Sequence, residues 1–218
     1  MADGSLSGAI DPEQIAKDFC VSRSVMRESL RALEAKGMIR AKQRTGTQVT
    51  PVSEWSLLDP DVIGWRTAGA DRFTQLRDSI ELRGALEPLG AQLTAARGGM
   101  ESIAALREAA ARIAEAAAAG DVASIIEADV AFHSSLLTGS GNGMLAQLAL
   151  AVAACLRVAD ISVVSRITGD VAQRHQTLVD SIAAGDAAEA ARRSLALVTY
   201  SRGLLDDAIA QAVPSKDH

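Results

Sequence analysis

Aromatic residues are scarce in this chain of 218 residues, which contains three Phe, two Trp and one Tyr. Low aromatic content together with abundant Ala and Leu favours helices over sheets. The length is sufficient for one large or two small domains with a buried core. A mostly α-helical protein is therefore expected.

Cysteines and long apolar segments are also few. Cys20 and Cys155 lie in apolar helical contexts without a CxxC motif, so a reduced, cytoplasmic protein is expected. No signal peptide is visible. The Ala/Leu-rich segment 144–158 contains Arg157 and is too short to span a bilayer, which indicates a core helix and no membrane association.

Positive charge is limited overall, since the net charge is −5. A nonspecific binder of polyanions is therefore not expected. The charge is uneven, however: residues 21–44 contain seven Lys or Arg and two Glu, a local charge of +5. Such an asymmetry indicates a nucleic-acid partner for this region.

A helix–turn–helix is predicted at the start of the chain. The segment Asp11-Pro12-Glu13-Gln14 is typical of a helix start, and Ile15 and Phe19 are expected to face inward from that helix. Ser22 suits the N-cap of a second helix, and Gly37 suits its end.

The second predicted helix carries a row of arginines. Arg23, Arg27 and Arg31 are spaced by four residues and share one face, with Ser24 near its start. Such a row near a helix N-terminus suits the major groove, where a guanidinium binds guanine or phosphate. A solvated amphipathic helix would show the same row, so both interpretations remain open for this motif alone.

A basic hairpin follows the second helix. Segments 39–43 and 48–50 are predicted strands on either side of Arg44-Thr45-Gly46-Thr47, with the turn at Gly46. A hairpin in this position is typical of a wing that lies along phosphates. The combination predicts DNA binding, with contacts from Ser22, Arg23, Ser24, Arg27, Arg44 and Gly46.

The remainder of the chain is predicted to be a helical bundle. Residues 1–51 would form the DNA-binding domain, and 52–70 a connector too apolar for a free linker. Residues 71–218 show helical patterns without strand signals. Six helices are expected there, at about 71–97 with a kink at Pro88, 100–119, 121–137, 144–167, 170–184 and 186–210.

A candidate metal site lies within these helices. Asp129 and His133 are four residues apart and share a helix face. Together with His175 they could hold one divalent ion. A hydrogen-bonded Asp129–His133 pair and a buried structural His175 fit the same spacing, so both interpretations remain open.

Two arginines interrupt apolar helix faces. Arg83 continues an inward row, and Arg202 interrupts the row of Leu195, Val198 and Leu205. Because a buried charge needs a partner, Arg83 would form an internal salt bridge with the residue four positions later, Glu87. Alternatively, one or both arginines bind a ligand carboxylate, which matches the guanidinium fork.

Several motifs resemble a family of bacterial transcription regulators. VSRSVMRESLRALEAKGMI and the following TGTQV resemble the winged-helix domain of GntR-type regulators. ADVAFHSSLLTGSGN and RHQTLVDSIAAGDAAEAA resemble the helical effector domain of the FadR subfamily, called FCD. WSLLDPDVIGW and IELRGALEPLGAQ resemble the members that sense sugar acids such as galactonate. The resemblance covers nearly the whole chain.

The resemblance implies DNA-binding residues. Arg23 and Arg27 match the recognition-helix arginines, and Gly46 matches the wing tip. The family has a further helix and an LPSE-like turn before the first helix predicted here. This chain begins too late to contain that helix, so the winged helix-turn-helix is expected to be truncated at its start.

The resemblance also implies an effector site. Asp129, His133 and His175 match three of four metal ligands, while the fourth, a histidine in the family, falls at about Leu197. Arg83 matches the arginine that meets the effector carboxylate. A metal would then be held by three side chains plus water or effector.

The expected function is a ligand-responsive transcription regulator. It would be a homodimeric repressor of operator DNA, with bound zinc, released by a small carboxylate such as galactonate. The alternative is a metal-dependent helical hydrolase using Asp129, His133 and His175. HExxH, an adjacent His-Asp pair and a nucleophile with a histidine base are all missing. A third possibility is a sensor that binds ligand without DNA.

Overall fold

A computed structural model describes residues 9–42, 46–158 and 169–212. The chain divides into two compact units, Met1–Ala70 and Asp71–His218. Within the described parts of the chain, no helix has both the length and the apolar character needed to cross a membrane.

The first unit combines a small antiparallel sheet with helices. Strands β1 and β2 both pair with β3, so the order across the sheet is β1–β3–β2. Its described elements, in chain order, are β1 Ala9–Ile10, α1 Pro12–Asp18, α2 Arg23–Ala35, β2 Ile39–Lys42, β3 Gly46–Val49, a 3-10 turn Val52–Glu54 and α3 Pro60–Ala68. The sequence did not predict β1 or the helical character of α3.

The predicted starts of α1 and α2 and the predicted end of α2 are confirmed. The Asp11 carboxylate accepts hydrogen bonds from the backbone N–H groups of Glu13 and Gln14, and the Ser22 hydroxyl accepts one from Val25. Helix α2 ends just before Gly37, which has φ +72°. A Cβ there would collide with the carbonyl oxygen of Glu54, so glycine is required both by conformation and by space.

Two expectations for the first unit need correction. Phe19 is the C-cap of α1 and exposes 57% of its surface, so it does not face inward. The reason is that α1 ends at Asp18, before Phe19. Gly46 is the first residue of β3 and pairs with Lys42, so this strand begins two residues before the predicted one. Arg44 lies outside the described residues.

The second unit contains six described helices, the number predicted. They are α4 Arg72–Arg97, α5 Met100–Ala119, α6 Val122–Thr138, α7 Gly143–Arg157, α8 Gly169–Ala183 and α9 Ala187–Ala212. Helix α4 continues through Pro88. Helix α7 ends at Arg157, ten residues before the predicted end, and residues 159–167 of that prediction lie outside the described residues.

The core of the second unit is aliphatic. Helix α4 packs against α6 and α9, and α5 packs against α6 and α8. Its largest cluster of buried side chains is built on Leu106, Ile113, Phe132, Leu136 and Leu178, each without exposed surface. A polar group buried in such surroundings needs a hydrogen-bonding or charged partner.

Gly90 allows α4 to approach α6 closely. A Cβ at this position would lie 2.9 Å from the carbonyl oxygen of Leu136. One turn later, the Thr94 hydroxyl donates a hydrogen bond of 3.0 Å to the same oxygen. This contact sets the register of the two helices and places Arg83 and Glu87 of α4 beside His133 of α6.

Candidate metal and effector site

Three predicted ligands from two helices converge. The Asp129 Oδ1 atom lies 3.5 Å from His133 Nε2 and 3.2 Å from His175 Nε2. One ligand atom from each side chain lies within 4.8 Å of the other two. Both histidines are buried, and Asp129 is partly buried. The distances are compatible with three donors facing one point.

The orientation of His175 suits a metal ligand. Its Nδ1 atom lies 2.9 Å from the backbone carbonyl oxygen of Val171. Because a carbonyl only accepts, this contact assigns the proton of neutral His175 to Nδ1 and a lone pair to Nε2. The buried Nε2 atom has no aligned hydrogen-bond partner, although Asp129 is close. The candidate ligands therefore fit a cation.

Glu87 is a site residue whose contact with His133 the sequence did not reveal. Its Oε2 atom lies 2.8 Å from His133 Nδ1, and its side chain is completely buried. The two atoms are close but not aligned as a hydrogen bond. A carboxylate behind a metal-binding histidine favours the proton on Nδ1 and leaves Nε2 to bind.

Arg83 joins the two carboxylate-bearing sides of the site. Its Nε donates a hydrogen bond of 2.6 Å to Glu87 Oε1, so the predicted internal salt bridge is present. Its Nη2 lies 3.2 Å from His133 Nε2. Arg83 is buried, as the inward row predicted. A guanidinium therefore lies directly beside the candidate ligands.

The buried charged groups strongly shift one another's pKa values. Burial alone would raise the pKa of Asp129, but His133 and His175 hold it well below its usual value. Burial would likewise lower the pKa of His133, yet Glu87 and Asp129 raise it to about 9. A proton and the Arg83 N–H are thus alternative partners for His133 Nε2, and a metal would have to replace either one.

Two predicted features of the site need closer definition. Arg202 is exposed, so it does not lie on the inward face that the apolar row predicted. Val198 and Leu205 of the row chosen from the sequence are buried, whereas Leu195 is half exposed. Arg202 lies two helical turns after Leu195 and shares its place at the edge of the buried face. Leu197 belongs to the apolar core and offers no ligand atom.

Comparisons with known proteins identify both units. Residues 10–49 match the bacterial regulatory proteins of the gntR family, and residues 78–199 match the FCD domain. The chain belongs to the GntR family. It is a transcription regulator with an FCD effector domain, which favours that function over the hydrolase alternative.

Similar proteins include two regulators from Escherichia coli strain K12. This GntR regulator is 29% identical to the galactonate operon transcriptional repressor over 195 residues, covering 86% of this chain and 82% of that protein. It is 33% identical to the HTH-type transcriptional regulator YieP over 196 residues, covering 86% and 83%. The solved structure of Streptococcus agalactiae GntR has a TM-score of 0.56, 25% identity and 90% coverage of each chain.

The candidate DNA-binding residues that the structure describes in this GntR regulator lie at the surface of α2, at its N-cap and at the start of β3. Arg23, Ser24 and Arg27 are exposed on α2. Ser22 is exposed as well, but its hydroxyl already caps the helix. The Arg23 guanidinium lies 3.9 Å from Glu13 in an exposed and therefore weak ion pair. These side chains are accessible to a partner.

Proposed function

We propose that this GntR regulator is a repressor that binds operator DNA as a homodimer and is released by a carboxylate effector. DNA binding is assigned to residues 1–51, the connection to residues 52–70, and effector binding and dimerisation to residues 71–218. The observation that carries the proposal is the buried group of Asp129, His133 and His175 beside Arg83.

The donor set favours zinc. Two imidazole nitrogens and one carboxylate oxygen are the ligands of many zinc sites that keep an open position. The buried Nε2 of His175, which lies 3.2 Å from Asp129 without an aligned hydrogen bond, supports this assignment. Leu197 lies in the apolar core and supplies no ligand. Asp129, His133 and His175 would therefore hold the ion, and its remaining coordination positions would be open to water or effector. A bound ion would supply positive charge to an effector carboxylate.

Arg83 supports a carboxylate effector. A guanidinium presents paired N–H donors that match the two oxygens of a carboxylate, and burial strengthens such a contact. The similarity to a galactonate operon repressor makes a sugar acid such as galactonate the first compound to test. Glu87 and Asp129 could accept hydrogen bonds from hydroxyl groups of that ligand.

A homodimer follows from the mode of DNA binding. Helix-turn-helix regulators that read two half-sites match the symmetry of the operator with their own two-fold symmetry. Arg23 and Arg27 of each subunit would enter one half-site, and the wing, with Arg44 and Gly46, would lie along phosphates. Operator release by a factor of ten requires about 1.4 kcal/mol of coupling between effector and DNA binding.

Operator release tests this function. The operator is selected from a random DNA library, and fluorescence anisotropy then measures its affinity for the zinc-loaded protein with and without galactonate. Galactonate should weaken binding by the wild type, and Arg83→Ala should bind DNA but lose the response. Arg202→Ala removes an exposed arginine and should retain it. An Arg83→Ala protein that responds like the wild type would show that the carboxylate binds elsewhere.

The same assay tests the DNA-binding helix. Arg27→Ala should cost about 1–3 kcal/mol if Arg27 contacts a base, or reduce the salt dependence if it contacts phosphate. Arg77→Ala, an exposed change in α4, is the control and should leave operator affinity unchanged. Unaltered affinity in both Arg23→Ala and Arg27→Ala would contradict the assignment of α2.

A further inference from the structure

Arg40 is an exposed cation on the wing, the hairpin of β2 and β3. It lies two residues before Lys42 on β2, so the two side chains share one face of the sheet. On that face Arg40 lies opposite Gln48 of β3, and Lys42 lies opposite Gly46. None of the residues in the three described strands is acidic. The sheet therefore carries positive charge without a carboxylate of its own.

The carboxylate that contacts Arg40 comes from outside the sheet. The Arg40 Nη2 atom donates a hydrogen bond to Glu54 Oε2, and the two groups form an ion pair. Glu54 is the last residue of the 3-10 turn that follows the wing. The two side chains keep 67% and 40% of their surface exposed, so water and other ions can reach both. An exposed ion pair of this kind is weak and opens readily when another partner binds.

The backbone fixes the position of Glu54. Its carbonyl oxygen packs against Gly37 so closely that a Cβ on Gly37 would collide with it. The next residue, Trp55, is held by its indole N–H, which donates a hydrogen bond of 3.1 Å to the carbonyl oxygen of Thr50. The fold therefore holds Glu54 beside β2, which reduces the entropic cost of its contact with Arg40.

A DNA phosphate and the Glu54 carboxylate are alternative partners for Arg40. Both present anionic oxygens that accept hydrogen bonds from a guanidinium. Sharing the guanidinium would bring two anions together, and their repulsion opposes it. The ion pair with Glu54 therefore has to open when Arg40 binds a phosphate. Because phosphate contacts carry no sequence information directly, the cost of opening would lower the affinity for every DNA sequence alike.

We propose that Arg40 binds a phosphate of the DNA backbone and that Glu54 is its internal competitor, which the DNA displaces. The inference rests on the DNA binding proposed above and adds a pair of residues that sets its strength. It also separates affinity from specificity. Arg23 and Arg27 on α2 would select the sequence, whereas Arg40 and Glu54 would scale the affinity for all duplexes.

The salt dependence of DNA binding by the full chain tests the competition. Fluorescence anisotropy measures the affinity of the wild type, Glu54→Gln, Arg40→Gln and the double variant for the selected operator and for a random-sequence duplex of equal length. Glu54→Gln should bind both duplexes roughly two- to fivefold more tightly at low salt, since an exposed ion pair no longer opposes binding. The gain should shrink at high salt, where that pair is screened in the wild type.

Arg40→Gln tests the phosphate contact itself. Loss of one phosphate contact should reduce the slope of log affinity against log salt concentration by about 0.9 and weaken binding to both duplexes. The double variant is the control for long-range repulsion between Glu54 and DNA. It should bind like Arg40→Gln, because Glu54 then has no guanidinium to occupy.

The outcomes separate the two proposals. DNA binding by the wild type without a gain in Glu54→Gln would overturn the competition, and so would a gain of equal size in the Arg40→Gln background. An unchanged salt slope in Arg40→Gln would overturn the phosphate contact. Each of these results leaves the proposed regulator function intact. Absence of DNA binding in all four proteins would overturn that function together with the inference.

Discussion

At the scale of single residues, the FCD domain contains a small group of mutually compensating buried charges. Arg83, Glu87 and His133 are each exposed by 7% or less, and each is within 3.2 Å of another member. Burying an ion is costly unless a partner balances it. Removing one member therefore affects the folded state as well as any ligand that binds there.

Glu87→Ala should strongly destabilise the metal-free protein. The change leaves the Arg83 guanidinium buried without its closest carboxylate, which typically costs about 3–5 kcal/mol. Urea unfolding followed by circular dichroism measures the loss. Glu81→Ala, an exposed change on the same helix, should stay within about 0.5 kcal/mol of the wild type. A loss below about 1 kcal/mol for Glu87→Ala would mean that Arg83 finds another partner.

Only part of this group could be predicted from the sequence. The pairs Arg83 with Glu87 and Asp129 with His133 follow from helical spacing, because residues four apart share a face. The contact between Glu87 and His133 joins two helices, and no spacing rule reports how α4 packs on α6. The orientation of Arg202 was mistaken because the row chosen from the sequence runs from buried residues, Val198 and Leu205, to the edge of that face, where Leu195 is half exposed.

At the scale of elements, the close packing of α4 and α6 depends on a glycine, which has no side chain to separate the two helices. Gly90 lies opposite the backbone of Leu136, and Thr94 binds the same carbonyl oxygen. Helix packing distances depend on the side chains at the contact. Gly90 lies less than one turn after Glu87, so a shift here would move the carboxylate relative to His133.

Gly90→Ala should therefore destabilise the protein. Overpacking typically costs about 1–3 kcal/mol, which exceeds the gain of up to about 1 kcal/mol from better helix propensity. Gly203→Ala in α9 is a matched control, since a Cβ there has no neighbour within 4 Å, and should be neutral or slightly stabilising. Thermal unfolding compares the two. Equal or greater stability of Gly90→Ala would show that α4 and α6 can move apart without penalty.

Helix ends that carry a capping residue were predictable, whereas strand β1 and the helix end without a capping signal were not. Asp11, Ser22 and Asp121 all accept backbone hydrogen bonds at predicted helix starts, and Gly37 and Gly120 both end helices with positive φ. Each of these signals depends on one residue type at the helix end, so it can be recognised in the sequence. Strand β1 has only two residues, too few to show the alternation of apolar and polar residues that predicts a strand. It is defined by its pairing with β3. Helix α7 ends at Arg157 inside an uninterrupted helical pattern, where no breaker residue marks the limit.

At the scale of the whole molecule, two functions occupy separate parts of one chain. The net charge is −5, yet residues 21–44 carry a local charge of +5. The positive region coincides with the matched gntR segment, and the buried polar group lies within the matched FCD segment. This division supports a regulator in which DNA binds one unit and the effector binds the other.

Native mass spectrometry of the zinc-loaded, desalted protein tests the central claim, a ligand site built on a metal in each subunit of a dimer. The wild type should appear as a dimer with one zinc ion per chain. His133→Ala and His175→Ala should each lose the ion, because removing one of three ligands leaves too few to compete with water. His218→Ala, at the chain terminus, should retain it. Wild-type protein without bound zinc, or His133→Ala with the full complement, would contradict the metal site.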